Sequence, residues 1–112
     1  MTFNSDILNK IEQDQAIAQL KQSGKEFMVL FENSLLSMEI YKPDLIDKQS
    51  PHDRDEFYIV ISGTGKFTFR DQTTTFKPGD FLYVPAFAEH RFIDFTDDFI
   101  CWVFFVGDKV MR

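Results

Sequence analysis

The stretch that decides the fold of this chain is His52-Asp53-Arg54-Asp55-Glu56, followed after six further residues by Gly63. The chain has one other histidine, His90, and each histidine lies beside a run of residues typical of a β-strand. Neutral imidazoles and an ionised carboxylate suit divalent iron, manganese, zinc or nickel. Two imidazoles and a carboxylate, brought together from separate strands, would therefore form a three-ligand face for a divalent metal ion.

A second segment surrounds the other histidine. Gly79, Pro85 and His90 follow one another along the chain, and Asp94 lies four residues after the histidine. Lys77-Pro78-Gly79-Asp80 has proline and glycine at the two central positions of a type II turn, where glycine supplies the positive φ. The chemistry predicted for this protein depends on whether the two segments meet.

Composition narrows the class of protein. The chain has 112 residues, of which 44% are hydrophobic and 27% are charged, so we expect one globular domain with a single core. The formal net charge of −6 repels phosphate backbones, and nucleic acid is therefore not an expected partner. The 14 phenylalanine residues are a large aromatic volume for a small core, and we expect some of them to line a cavity or an interface.

The cellular compartment is inferred from the cysteine content and from the absence of targeting signals. The single cysteine, Cys101, allows no internal disulfide bond, which favours a reducing compartment. The N-terminus lacks the basic start and the long apolar run of a signal peptide. The most apolar stretch, residues 99–106, is too short to span a bilayer. We therefore predict a cytoplasmic protein with no membrane partner.

The periodicity of the apolar residues predicts a short helical region followed by strands. Apolar residues at helical spacing between Asp6 and Gly24 indicate one or two short helices, capped by Ser5 or Asp6 and stopped by Gly24. Residues 1–24 are therefore predicted to be an N-terminal helical segment, and residues 25–112 a single β domain. Many short antiparallel strands predict a sandwich or a barrel. The strand-like runs are 26–31, 35–41, 56–62, 66–70, 73–76, 81–84, 89–95 and 99–106.

Strand parity indicates which side chains share a face. Glu56 and Tyr58 share one face of their strand, and His90, Phe92 and Asp94 share one face of theirs. If both faces point into a barrel, Glu56 and His90 converge from neighbouring strands.

His52 lies in the loop just before the first of these strands, close enough to fold over the same pocket. Asp55 competes for the carboxylate role, but its parity is opposite to that of Glu56, which we therefore favour. The competing interpretation is that both histidines are surface or hydrogen-bonded core residues and that the acidic run is a solvated loop.

Two further expectations concern the pocket and the outer surface. Met38, Tyr58, Tyr83 and Phe92 are predicted to line the pocket, with core packing as the other interpretation. Some strands are apolar on both faces, whereas a solvated barrel wall alternates. The outer face is therefore expected to be covered by the N-terminal helices or by a second subunit, and we predict a homodimer.

These residues and spacings resemble the cupin superfamily of small-barrel metalloproteins. The first motif of that superfamily has two histidines one residue apart, a short spacer, a glutamate, six residues and a glycine. Ser50-Pro51-His52, Glu56 and Gly63 fall at those places. The resemblance covers roughly residues 35–106.

The second motif of the superfamily has a glycine, a proline, a glycine, a histidine and an asparagine. Gly79, Pro85, His90 and Asp94 fall at four of those places, and Asp94 replaces the asparagine conservatively. Phe87 replaces the middle glycine, which implies a different turn conformation.

Ser50 stands where the first histidine of the motif is expected, so the usual set of three histidines is reduced to two. Gln49 precedes it and is a candidate to supply an oxygen instead, although its strand parity is that of the wrong face.

The resemblance implies an all-β, double-stranded β-helix (jelly-roll) barrel with a short N-terminal helical region. It also implies one divalent transition metal ion (Fe, Mn, Zn or Ni) held by His52, Glu56 and His90, with Gln49 as an additional candidate. The expected function is a metal-dependent enzyme of the dioxygenase, isomerase or decarboxylase type that acts on a small molecule in the barrel. The alternative is a non-catalytic barrel that binds a small ligand, with a structural, weak or absent metal.

Overall fold

The computed structural model describes residues 8–108, which form one helix and eight antiparallel strands. The predicted strands are confirmed to within two residues at every end. The elements are α1 (Gln13–Ser23), β1 (Phe27–Glu32), β2 (Leu36–Tyr41), β3 (Asp55–Ser62), β4 (Gly65–Phe69), β5 (Gln72–Phe76), β6 (Phe81–Val84), β7 (His90–Ile93) and β8 (Ile100–Val106).

The strands form two sheets that face each other across one core. The larger sheet has the order β1-β2-β8-β3-β6, and the smaller has the order β5-β4-β7. Buried side chains of both sheets pack together between them, with Tyr58 and Val103 from the larger sheet and Phe67 and Phe92 from the smaller. The predicted all-β jelly-roll is confirmed, because aromatic residues from both sheets fill the space between the layers.

The helix begins later than predicted. Residues 8–12 are not helical; Glu12 caps α1, and its side chain accepts a hydrogen bond from the backbone N–H of Gln15 at 3.2 Å. The predicted caps Ser5 and Asp6 lie outside the described residues. The predicted stop is confirmed, since Gly24 ends the helix at a φ of 70°, where a residue without Cβ is least strained.

The helix covers part of the outer face of the larger sheet. Ala16 and Leu20 of α1 pack in a second apolar cluster with Leu30, Ile40 and Ile100. This placement explains why the strands are apolar on both faces: one face lines the barrel, and the other packs under the helix.

Another part of the same outer face is left uncovered by the helix and by the rest of residues 8–108. The ring of Phe57 stacks on that of Phe104 with a centroid distance of 4.6 Å. Phe81 and Tyr83 on the edge strand β6 are 59% and 51% exposed. The helix therefore accounts for only part of the apolar outer surface.

The side chains predicted to share an inward face do so on β3, but only in part on β7. Burial alternates along β3, so that Glu56 and Tyr58 point into the barrel. His90 and Phe92 do the same on β7. The expectation for Asp94 is wrong, because the strand ends at Ile93 and Asp94 turns outward at a φ of 52°. Its exposed carboxylate lies 3.8 Å from the ammonium group of Lys66.

The close approach of two chain segments explains the glycine of the first motif. Gly63 has a φ of 86°, and a Cβ atom at this position would lie 2.5 Å from the Cα atom of Phe99. No larger residue fits without moving the backbone that leads into β8. This glycine therefore fixes how the end of β3 packs against the start of β8.

Candidate metal centre

Three side chains from different parts of the chain converge at one end of the barrel. Glu56 comes from β3, His90 from β7 and His52 from the loop before β3, and one ligand atom of each lies within 4.8 Å of the others. Among the residues the structure describes, these three are the group of histidine, cysteine and acidic side chains close enough to share a metal ion. The convergence predicted from strand parity is therefore present.

The ligand atoms have few competing partners. Both carboxylate oxygens of Glu56 and Nε2 of His52 are buried without a hydrogen bond from any of residues 8–108. Glu56 Oε1 lies 2.8 Å from His90 Nε2, but the contact lacks the angular geometry of a hydrogen bond. A carboxylate whose side chain is 1% exposed is costly to bury unless a cation compensates it. The donor set and its unsatisfied oxygens fit a divalent metal ion bound by two histidines and one glutamate.

A hydrogen bond at Nδ1 fixes the orientation of the His90 ring. Its Nδ1 donates to the carbonyl oxygen of Ala88 at 2.9 Å, so the proton lies on Nδ1 and Nε2 faces Glu56. Burial acts to lower the pKa of His90, but the contacts with Glu56 and Ala88 and the charge of Asp47 outweigh it and raise that pKa. The same ring can therefore hold a proton or a metal ion at Nε2.

The turn before β7 connects both halves of the site. The backbone N–H of Phe87 donates to the carbonyl oxygen of His52 at 2.7 Å, and that of Ala86 donates to Asp55 Oδ1 at 2.9 Å. The predicted change of turn conformation is wrong: Phe87 has a φ of 69°, the left-handed conformation that a glycine would adopt. Asp55 is thus a positioning residue on the opposite face from Glu56.

A buried aspartate that sequence reasoning missed organises the other side of the site. Asp47 accepts hydrogen bonds from the Tyr41 hydroxyl at 2.8 Å, from the backbone N–H of Phe92 at 2.8 Å and from Gln49 Nε2 at 3.1 Å. It is 1% exposed although it lies in a polar, turn-rich loop. No feature of that loop distinguishes it from a solvated turn residue, and only the tertiary structure identifies it.

Asp47 orients Gln49 toward the candidate ligands. Because the amide nitrogen of Gln49 is held by Asp47, its Oε1 faces inward and accepts from the Tyr58 hydroxyl at 3.0 Å. That hydroxyl lies 2.9 Å from His90 Nε2. The parity argument against Gln49 is wrong, since this residue lies in a loop outside the regular strands. The structure therefore brings its amide close to the site, beside Tyr58.

A cavity of about 460 Å³ opens beside His52, one of the three candidate ligands. Its wall contains His52, Gln49 and Phe105 together with Glu39 and Tyr41 of β2. Glu39 was not predicted from the sequence to line the cavity. Its position at alternate residues with Ser37 and Tyr41, on one face of β2, would have indicated this. Ser50, which stands in place of a histidine, lies on the rim of this cavity and of a smaller one of about 260 Å³ beside His90.

The predicted pocket residues divide between the barrel interior and the outer face. Tyr58 and Phe92 are buried in the core, and Tyr58 reaches the ligand cluster through its hydroxyl. Met38 has the opposite parity from Glu39, and Tyr83 is exposed on the edge strand. Neither Met38 nor Tyr83 lines the larger cavity.

Fold and site together define a double-stranded β-helix with a two-histidine, one-carboxylate cluster at one end of the barrel. Residues 37–106 match the sequence model of the cupin domain. This chain belongs to the cupin family. None of the helices formed by residues 8–108 is long and apolar enough to cross a membrane.

Individual relatives agree with this assignment. An uncharacterized protein of Streptomyces coelicolor is 30% identical over 87 residues, which cover 76% of this chain and 83% of that protein. A solved structure of an RmlC-like cupin from Methanocaldococcus jannaschii, which has a double-stranded β-helix fold, superposes with a TM-score of 0.61 at 18% identity and covers 72% and 80% of the two chains. A proposed mannose-6-phosphate isomerase of Ralstonia eutropha superposes with a TM-score of 0.55 at 26% identity over 73% of this chain and 82% of the other.

Proposed function

We propose that this cupin binds one divalent transition metal ion through His52, Glu56 and His90 and uses it to act on a small molecule in the larger cavity. The observation that carries the proposal is the buried carboxylate of Glu56, which lies close to both histidines and whose two oxygens have no hydrogen-bond donor in the part of the chain that the structure describes. Fe, Mn, Zn and Ni all suit this donor set. When bound, such an ion supplies a positive charge that polarises an oxygen atom of a ligand.

The residues around the ion would have separate roles. The Ala88 carbonyl holds the His90 ring so that Nε2 is presented to the ion, and Phe87 holds the backbone of His52. Gln49 and Tyr58 would orient the bound molecule through their amide and hydroxyl groups. Ser50 leaves open a position that a third imidazole occupies in other cupins, and that position would be available to the small molecule.

The reaction we propose is of the dioxygenase, isomerase or decarboxylase type on a small polar or carbonyl compound. Supporting this, one solved structure similar to this chain is that of a proposed mannose-6-phosphate isomerase. The aromatic wall provided by Phe105 and Tyr41 would exclude water from the ligand and strengthen its contact with the ion.

Metal analysis tests the proposal directly. Purified chain, and chain reconstituted with Fe, Mn, Zn or Ni, is expected to hold close to one equivalent of metal by elemental analysis. His90→Ala and Glu56→Gln should lose it, whereas Glu89→Gln, on an exposed residue beside His90, should retain it. Absence of metal from every wild-type sample would refute the proposal.

The second candidate function is a non-catalytic barrel that binds a small ligand, and the loss of a histidine at Ser50 favours it. An enzyme of the proposed kind needs coordination positions that exchange with solvent. Manganese-loaded protein should therefore strongly increase the relaxation rate of water protons. A closed coordination sphere, with no such increase, would favour the binding function.

We also propose that the chain forms a homodimer through the uncovered outer face that contains Phe57, Phe81, Tyr83 and Phe104. These aromatic side chains form a partly exposed apolar surface of the kind used between subunits. Sedimentation analysis should give a dimer that Phe81→Ser weakens and that Leu45→Ser, on an exposed loop residue, leaves intact. A cytoplasmic location and the absence of nucleic-acid and membrane partners remain predictions from composition.

A further inference from the structure

The larger cavity contains carboxylates that the proposed metal centre does not use. Beside His52, the cavity is lined by Glu39 of β2, Glu32 of β1 and Asp53 of the loop before β3. Glu56 does not line the cavity, but its negative charge acts on Glu39, and its buried oxygens have no hydrogen-bond partner among the described residues. The cavity is therefore acidic both at its wall and at the metal centre.

Among the described residues, the cavity wall contains two basic side chains, Lys48 and Arg54, against the four carboxylates of Glu26, Glu32, Glu39 and Asp53. Lys48 Nζ lies 3.7 Å from Glu26 Oε2, so these two charges offset each other. Arg54 Nε donates to the carbonyl oxygen of Gly107 at 3.1 Å, which fixes the side chain but leaves its positive charge in the wall. Within the described part of the wall, no basic side chain pairs with Glu39.

Glu39 is the carboxylate best placed to meet a ligand. It is partly buried, and its carboxylate has neither a hydrogen bond nor an ion pair to a described residue. Burial raises its pKa to about 7, and the negative charges of Glu56 and Glu32 add to that effect. In this environment, an approaching cation stabilises the ionised form of the carboxyl group, and an approaching anion destabilises it.

The rest of the wall suits the apolar part of such a cation. The side chains of Val103 and Phe105 and the ring of Tyr41 face the same cavity as Glu39. Aromatic ring faces attract ammonium groups, and apolar side chains shield the charge pair from water.

We infer that this cavity binds a small organic cation whose ammonium group pairs with Glu39 and whose apolar part packs on Phe105 and Tyr41, and that it rejects anions of the same shape. The inference rests on the proposed function in that it takes this cavity as the ligand site of the metal centre. Glu39 is the residue that determines the preference.

Three probes of matched shape test it: benzylammonium, benzoate and benzyl alcohol. Each is titrated into the ¹⁵N-labelled full chain at about pH 8, once after treatment with EDTA and once with zinc added, and binding is followed from amide chemical shifts. Benzylammonium should bind most tightly and should shift the amides of residues 37–41 and 103–105. Glu39→Gln should weaken it about fivefold or more, without weakening benzoate.

Two variants separate charge from shape. Glu39→Asp keeps the charge and should keep the order of the probes. Asp71→Asn removes the same charge from an exposed turn and should change no affinity. In the EDTA-treated protein, tighter binding of benzoate, an equal change for both charged probes in Glu39→Gln, or no binding of benzylammonium up to about 50 mM would overturn the inference.

The two proposals fail separately. A preference for benzylammonium in a protein that takes up no zinc would refute the metal centre and leave the ligand preference standing. Zinc bound at His52, Glu56 and His90 without that preference would refute the ligand class alone.

Discussion

The backbone N–H of Phe87 donates to the carbonyl oxygen of His52 at 2.7 Å, and this bond links the two halves of the candidate metal centre. Phe87 makes it from a left-handed conformation, at a φ of 69°. The following residue, Ala88, orients His90 through its carbonyl oxygen. One short turn thus positions both histidines.

The conformation of Phe87 predicts an unusual order of stability among variants. Phe87→Gly and Phe87→Ala both lose the ring, but only alanine retains a Cβ atom in the left-handed conformation. Phe87→Gly should therefore be more stable than Phe87→Ala by about 1 kcal/mol in the free energy of unfolding. Urea denaturation measures the difference, and equal midpoints would show that the backbone is not strained here.

The hydrogen bonds of Asp47 predict a large loss of stability on a nearly isosteric change. Asp47→Asn turns one of its oxygens into a donor, although both oxygens face donors from Tyr41, Gln49 and Phe92. We expect a loss of about 2–4 kcal/mol in the free energy of unfolding. Asp44→Asn, on an exposed loop residue, is the control and should change little. Comparable unfolding midpoints for the two variants would contradict this account of the loop.

The position of Ser50 predicts a gain of metal affinity. Ser50→His restores the imidazole that the cupin motif carries at this position, and a third histidine should tighten zinc or cobalt binding about tenfold or more. The visible spectrum of the cobalt-loaded protein should change with the added nitrogen ligand. Ser34→His, at an exposed turn, should alter neither quantity. If Ser50→His behaves like Ser34→His, this loop does not approach the ion.

The raised pKa of Glu39 predicts a dependence of stability on pH. Its ordinary value is 4.5 and its value in the folded protein is about 7, so the unfolded chain releases this proton first as the pH rises. The contribution of the protonated form to stability is present below pH 4.5 and is lost as the pH rises toward 7. Glu39→Gln should therefore lose less stability than wild type between about pH 4.5 and pH 8.

Urea midpoints of the two proteins at both pH values, in the presence of EDTA, measure this effect. Other groups titrate equally in both proteins and cancel in the difference. A difference that does not change with pH would show that Glu39 is ionised at its ordinary pKa.

Local residue pattern was sufficient for the strands and for the three candidate ligands. The alternation along β3 placed Glu56 inward, and the resemblance of the Gly63 and His90 spacings to the cupin motifs implied the barrel. The same reasoning failed for Asp94, because alternation ends where a strand ends, and Asp94 lies one residue beyond Ile93. It also failed for Met38 and Tyr83, since an aromatic or apolar residue gives no sign of which face is covered.

By itself the sequence determined the order of the strands along the chain, the resemblance to the cupin fold and the choice of His52, Glu56 and His90 as candidate ligands. These depend on periodicity and spacing, which are local properties of the chain. Only the tertiary structure decided that Asp47 is buried, that Gln49 turns inward, that Phe87 takes the conformation of a glycine and that Glu39 faces the cavity. Each of these depends on contacts between residues distant in sequence, and the energies of burial and of hydrogen bonding at such contacts have no local signature.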